Sequence, residues 1–221
     1  MYTPVNFVMK ILPYSLWVAY DIKNREEISK MLPFGMKLAN VKIYKNELFT
    51  SPKLLFNSYS IDSRFMKGKR CEILTVAESK NGKHFIILDC LTNTLDWNPE
   101  YGVKPANSCN YIFSKHNDPL IKHKVFSYRG KTLCVEGMRR RFRKISKEFV
   151  VEQNKECYYR NYPTRLVLDF DENVVSKDVV QLHKIKIENN FWNKYRGKLT
   201  HCFLHDQSMD YNVSFEDEWL F

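Results

Sequence analysis

Short apolar and aromatic runs, each closed by a turn signal, restrict this chain more than any other feature. They fall at 14–20, 37–44, 52–61, 70–78, 83–91, 109–114, 122–128, 131–136, 138–152, 157–160, 164–170, 180–189 and 197–206. Such lengths suit strands, and aromatic side chains pack well on a pleated surface. Lys80-Asn81-Gly82-Lys83 carries the Asn-Gly signature of a tight hairpin, and Tyr128-Arg129-Gly130-Lys131 makes another. Helical signals are sparse. Asn24 is placed to cap a short helix, Glu26 and Glu27 suit its first turn, and Ile28, Met31 and Leu32 share one face before Pro33 and Gly35 end it. Many short strands with one or two short helices predict a mainly β chain: a closed antiparallel β barrel or cone around an internal cavity. No repeat, linker or shift in composition breaks the sequence, so residues 1–221 read as a single domain.

The remaining bulk features bound the class. Hydrophobic residues make up 44% of the chain, enough for a substantial core. The start lacks a charged segment followed by a long apolar run, and no run approaches the roughly 20 residues that span a bilayer. No secretion signal and no membrane segment are therefore expected. Cys71, Cys90, Cys109, Cys134, Cys157 and Cys202 are scattered, with no C-x-x-C pair. That pattern suits buried free thiols in a reducing compartment and predicts a cytoplasmic protein. The net charge of +10 admits an anionic partner without choosing among nucleic acid, lipid and a small carboxylate or phosphate.

The order of elements resembles the acetoacetate decarboxylase superfamily. An apolar strand ending in tyrosine (Trp17-Val18-Ala19-Tyr20) leads to a short helix ending in Leu32-Pro33. A strand of the form Pro52-Lys53-Leu54-Leu55-Phe56-Asn57-Ser58-Tyr59 follows, then a glutamate strand, Arg70-Cys71-Glu72-Ile73-Leu74-Thr75. After the Asn81-Gly82 hairpin comes an apolar strand ending in Asp89. Where the family has Gly-Arg-Glu-x-x-Gly-x-Pro-Lys, this chain reads Asn98-Pro99-Glu100-Tyr101-Gly102-Val103-Lys104-Pro105. Towards the end, Phe191-Trp192 through Arg196-Gly197-Lys198-Leu199 and on to Val213 matches the outline of the family's last strand and tail.

The resemblance implies a lyase-type chemistry on β-keto acids. A lysine amine forms a Schiff base, an arginine holds the substrate carboxylate, and glutamates manage protons. Carried over residue by residue, it nominates Lys104 as the amine with Glu72 and Glu100 as acids, and Tyr101 and Asn57 as pocket residues. The order here is Lys-Pro rather than Pro-Lys, so alignment on Gly102 sets Pro105 where the family has its reactive lysine. A one-residue shift on a strand sends a side chain to the opposite face. The doubled lysine of the family is absent, Asn57 stands where the family has a pocket acid, and Pro13 falls near its expected arginine. Lys104 reads either as this amine or as a solvated loop lysine. Glu72, beside Lys69 and Arg70, reads either as a pocket acid or as half of a surface ion pair.

A second basic feature is Met138-Arg139-Arg140-Arg141-Phe142-Arg143-Lys144. On a strand, Arg139, Arg141 and Arg143 share a face. They read as a solvated face, as a bidentate site for a carboxylate or phosphate, or as a contact to nucleic-acid backbone. No base-stacking motif accompanies them. His201 and His205 share a strand face, with Asp206 adjacent, but no H-E-x-x-H and no further ligand at a diagnostic spacing accompanies them, so they read as ordinary partly buried histidines and neither a metal nor a cofactor is expected. Cys109 reads as a buried structural cysteine rather than as a nucleophile, since no histidine is positioned beside it by sequence. No P-loop, G-x-G-x-x-G or G-x-S-x-G occurs. The expected function is a small-molecule enzyme acting on an oxo acid or related anion, as a homo-oligomer. A binding protein on the same barrel, or a basic nucleic-acid-binding module, are the alternatives.

Overall fold

The computed structural model describes residues 7–43, 47–64, 66–94, 103–113, 120–127, 132–138, 144–146, 156–159, 164–169, 178–181, 184–188, 192–205 and 208–217. Strands β1 (Phe7–Ile11), β2 (Ser15–Ile22), β3 (Lys37–Leu38), β4 (Lys53–Asp62), β5 (Lys67–Ser79), β6 (Gly82–Thr92) and β7 (Val103–Phe113) make up the first half, with helix α1 at Arg25–Ser29. The second half holds β8 (Leu120–Ser127), β9 (Thr132–Met138), β10 (Lys144–Ser146), β11 (Glu156–Tyr159), β12 (Thr164–Asp169), β13 (Asp178–Gln181), β14 (Lys184–Glu188), β15 (Arg196–His205) and β16 (Met209–Asp217). A 3-10 turn at Trp192–Lys194 precedes β15. Among the described residues no helix is long and apolar enough to cross a membrane.

All the strands join one large mixed sheet. From β15 through β2, β4 and β5 to β6 every neighbour is antiparallel. The far edge of β6 then takes two parallel partners, β11 along Phe85–Ile87 and β7 along Cys90–Thr92. In the other direction β4 meets β1 through the single pair Ile11–Ile61, and β1, β16, β12 and β11 follow in antiparallel order. The expectation of a closed antiparallel barrel is corrected on both counts. Among the described residues two junctions are parallel, and the return to β4 is the pair Ile11–Ile61 with one further backbone bond from the Leu12 N–H to the Ser60 carbonyl, so the described strands form a mixed sheet without a continuous closing ladder.

Local chemistry explains most of the elements. In the β5–β6 hairpin Ser79 pairs with Gly82, so Lys80 and Asn81 form the turn and Gly82 takes φ +122°, which a side chain would resist. Helix α1 forms where the cap signals predict it. The Asn24 side chain, however, bonds no helix N–H; its Nδ2 donates to the Lys194 carbonyl and ties the helix to the 3-10 turn. Strand β7 starts at Val103, six residues before the predicted run, because it pairs with β6 as well as with β8. The 180–189 run splits into β13 and β14, which pair with different neighbours. Strands β1 and β16, not predicted, pair with each other.

The two faces of the central sheet carry separate cores. Leu16, Val18, Phe56, Cys71, Ile73, Leu91 and the covering Trp192 cluster on one face. Trp17, Ala19, Leu55, Leu74, Phe85, Cys90 and Val103 cluster on the other, covered by Ala39, Val41 and Ile43. This second face continues into the group formed by Met9, Ile11, Tyr59, Ile61 and Tyr211.

Candidate functional site

Strand register decides which of the nominated residues can meet. Opposed residues on paired strands share a face, and their neighbours in sequence take the other. Trp17 stands opposite Asn57, Asn57 opposite Glu72, Glu72 opposite Cys90, and Cys90 opposite Val103. The next row on that face runs Tyr59, Arg70, Thr92, Pro105. Asn57 and Glu72 are thus brought side by side, with Arg70 and Tyr59 beside them.

Arg70, Glu72, Tyr59 and Asn57 are all buried. Arg70 Nε lies 3.0 Å from Glu72 Oε1, and the Tyr59 hydroxyl donates to the same oxygen at 2.8 Å. Ser15 Oγ donates to Asn57 Oδ1 at 3.2 Å. Burial of an ion pair costs solvation, and the added phenol bond helps to offset it. Burial first, and then the Glu72 charge, pushes the Tyr59 hydroxyl well above its ordinary range, against an opposing pull from Arg70. Tyr59 therefore stays a donor at neutral pH. Glu72 is a buried acid, so the surface ion-pair reading of it is set aside.

Lys104 lies on the other face. Leu16, Ser58, Cys71, Leu91 and Lys104 are successive partners in the intervening row. The lysine sits on a strand rather than in a turn, and its Nζ is 2.6 Å from Asp89 Oδ1. Trp192 Nε1 donates to Asp89 Oδ2 at 3.1 Å. Asp89 therefore joins β6, β7 and the 3-10 turn, and Lys104 belongs to that junction. The residue that shares the Glu72 face at this point is Pro105, as alignment on Gly102 suggests. The structure does not bring Lys104 and Glu72 together.

Glu100, Tyr101, Arg139, Arg141 and Arg143 lie outside the described residues. Cys109 gains no support as a nucleophile: burial pushes its thiol up to about 11, against the pull of Lys69. His201 Nε2 pairs with Glu47, whose other oxygen accepts from the Ile43 N–H.

Sequence reasoning overlooked Arg70 and Tyr59 as site residues. The signal was present, since Arg70 and Glu72, like Asn57 and Tyr59, are two apart and share a face on any strand. What it lacked was the β4–β5 register that sets the two pairs against each other.

No protein-family model matches the sequence, and no curated protein matches it. Solved structures do. Acetoacetate decarboxylase from Legionella pneumophila superposes with a TM-score of 0.54 at 12% identity, over 97% of this chain and 86% of that one. The enduracididine biosynthesis enzyme MppR, complexed with pyruvate, gives 0.60 at 7% identity over 97% and 90%. An acetoacetate decarboxylase-like enzyme from Sphingomonas wittichii gives 0.59 at 8% identity over 96% and 92%. The chain has the acetoacetate decarboxylase-like fold.

Proposed function

We propose that this protein is a small-molecule enzyme that takes an oxo acid, or a related small anion, at the Glu72-bearing face of the sheet. The observation that carries this reading is the buried Tyr59–Glu72–Arg70 cluster beside Asn57. A carboxylate, a guanidinium and a phenol held in apolar surroundings form a site that reads polar ligands strongly, because the local dielectric is low. Enzymes of the same fold support the oxo-acid class, and the pyruvate complex of MppR makes that compound the first to try.

The Schiff-base route has weaker support than the binding site. It needs a neutral amine next to the proton-handling acid. Lys104 pairs with Asp89 on the opposite face, and Pro105 shares the Glu72 face. The enzyme reading therefore goes with noncovalent acid–base chemistry rather than with an adduct on Lys104. A binding protein without turnover is the second reading, and the same pairing of Lys104 with Asp89 favours it.

The test is thermal unfolding with pyruvate and acetoacetate at millimolar concentration, followed by borohydride and mass analysis. Ligand binding raises Tm by an amount that grows with the free ligand concentration c as ln(1 + c/Kd), the rise disappears in Arg70→Met, and no adduct forms on Lys104. An unchanged Tm with every small oxo acid rejects the site. A borohydride adduct on Lys104 rejects the noncovalent route.

A further inference from the structure

We infer that Asn57 and Glu72 together enolise a 2-oxo acid directly, with no covalent bond to the protein. The inference rests on the oxo-acid reading above and names its chemistry. Three observations carry it. Asn57 and Glu72 stand directly opposite each other on antiparallel strands, a placement that sets their Cβ atoms about 5 Å apart. Both hydrogen bonds to Glu72, from Tyr59 and from Arg70, fall on Oε1, and among the described residues nothing donates to Oε2. The Ser15 hydroxyl takes the oxygen end of the Asn57 amide, and among the described residues nothing accepts from Nδ2. The row therefore offers one proton acceptor and one neutral donor side by side, with buried Trp17 and Cys90 flanking them.

A ketone with a hydrogen on the adjacent carbon needs that pair of groups. The Asn57 Nδ2–H donates to the keto oxygen. Glu72 Oε2 removes a proton from the neighbouring carbon, the electrons of the broken C–H bond form the carbon–carbon double bond, and the carbonyl π pair moves onto oxygen. Glu72 ends as a neutral carboxylic acid and its charge resides on the enolate. Arg70, 3.0 Å from Oε1, keeps its countercharge beside the site throughout. The step consumes no oxidant and expels no leaving group. Its reversal returns a solvent-derived hydrogen to the carbon. Donors aimed at a developing oxyanion are worth most where water is scarce, and Asn57 and Glu72 are each 5% exposed.

The experiment is proton NMR of pyruvate in deuterium oxide, following loss of the methyl signal, with Tm shifts read on the same samples. The wild-type protein exchanges the methyl hydrogens faster than buffer. Glu72→Gln removes the base and lowers exchange by about 100-fold or more. Asn57→Ala, which spares the ion pair and so guards against misfolding of the first variant, lowers it by about 100-fold. Lys104→Ala exchanges like wild type. Exchange that survives Glu72→Gln overturns the inference. So does pyruvate that raises Tm without exchange, although the binding site then stands. Exchange lost in Lys104→Ala, together with a borohydride adduct, replaces it with an enamine. No Tm shift and no exchange removes the oxo-acid reading as well.

Discussion

The two faces of the sheet each hold a carboxylate paired with a cation, and the two pairs differ in almost everything else. Arg70–Glu72 is enclosed, with side chains 3% and 7% exposed, and a phenol completes it. Lys104–Asp89 is half open at 34% and 16%, and an indole completes it. Arginine binds Glu72 from the same strand at i and i+2, whereas Lys104 reaches across two strands that are parallel. The contrast separates a site from a strap. A desolvated pair has high stakes, because loss of one partner leaves a charge with no water to receive it. A pair near solvent is screened and contributes little. Sequence alone made Lys104 the more chemical of the two cations; burial and partners reverse that ranking.

The sharpest way to break the contrast is to remove each cation in turn. Arg70→Met leaves Glu72 buried beside an apolar side chain. We expect it to lose about 3–5 kcal/mol of folding stability, measured by urea unfolding at pH 7. A loss under about 1 kcal/mol makes the cluster a surface-like pair and dissolves the difference between the faces. Glu72→Gln in the Arg70→Met background should then recover part of the loss, since no unpaired charge remains.

Lys104→Ala should have a much smaller effect. Its side chain is a third exposed, so the ion pair with Asp89 is worth at most about 1 kcal/mol. Asp89→Asn keeps an acceptor for the Trp192 indole while removing the charge, and is expected to cost no more than the lysine variant. The check is urea unfolding of both single variants and the double. If Lys104→Ala is as damaging as Arg70→Met, the half-open pair is part of a buried network, and its description as a strap fails.

Legibility in the sequence followed the same division. Residues with a local cause were read correctly: the strands at 14–20, 52–61, 70–78 and 83–91, the turn before Gly82, and the helix after Asn24. Strand β1 hid because Phe7–Ile11 is short and carries Lys10 among its apolar residues. It is specified by its pairing with Tyr211 and its neighbours, about 200 residues away. The parallel junctions at β6 hid for the same reason, since no local residue announces a parallel partner. For the site, the family resemblance nominated Glu72 and Asn57, and alternation along a strand warned that Lys104 and Pro105 face opposite ways. Which of the two faces holds the glutamate follows from the β5–β6–β7 register, a long-range property. The order Lys104-Pro105 was therefore informative, and its meaning became fixed only with pairing.

The smallest effect expected is also the finest test of the contrast. Tyr59 and Tyr111 are both buried phenols whose hydroxyls sit well above the ordinary range, one on each face. Burial is the first cause for both. For Tyr59 the Glu72 charge comes next, whereas for Tyr111 the nearby Cys71 does. A raised phenol keeps its proton in the fold after the unfolded chain has lost it. Both tyrosines thus contribute stability that is complete below about pH 10, the unfolded value, and that drains away as pH rises from there towards the folded value. In Glu72→Gln the charge next to Tyr59 is gone but its burial remains. Tyr59 should then titrate earlier than in wild type while Tyr111 is unmoved, and the alkaline loss of stability contributed by Tyr59 should shrink slightly. Ultraviolet titration of wild type, Glu72→Gln, Tyr59→Phe and the double variant isolates the shift. An identical alkaline titration of Tyr59 with and without the Glu72 charge would mean that the hydroxyl and carboxylate do not sense one another, and that the cluster on the Glu72 face is no more coupled than the strap on the other.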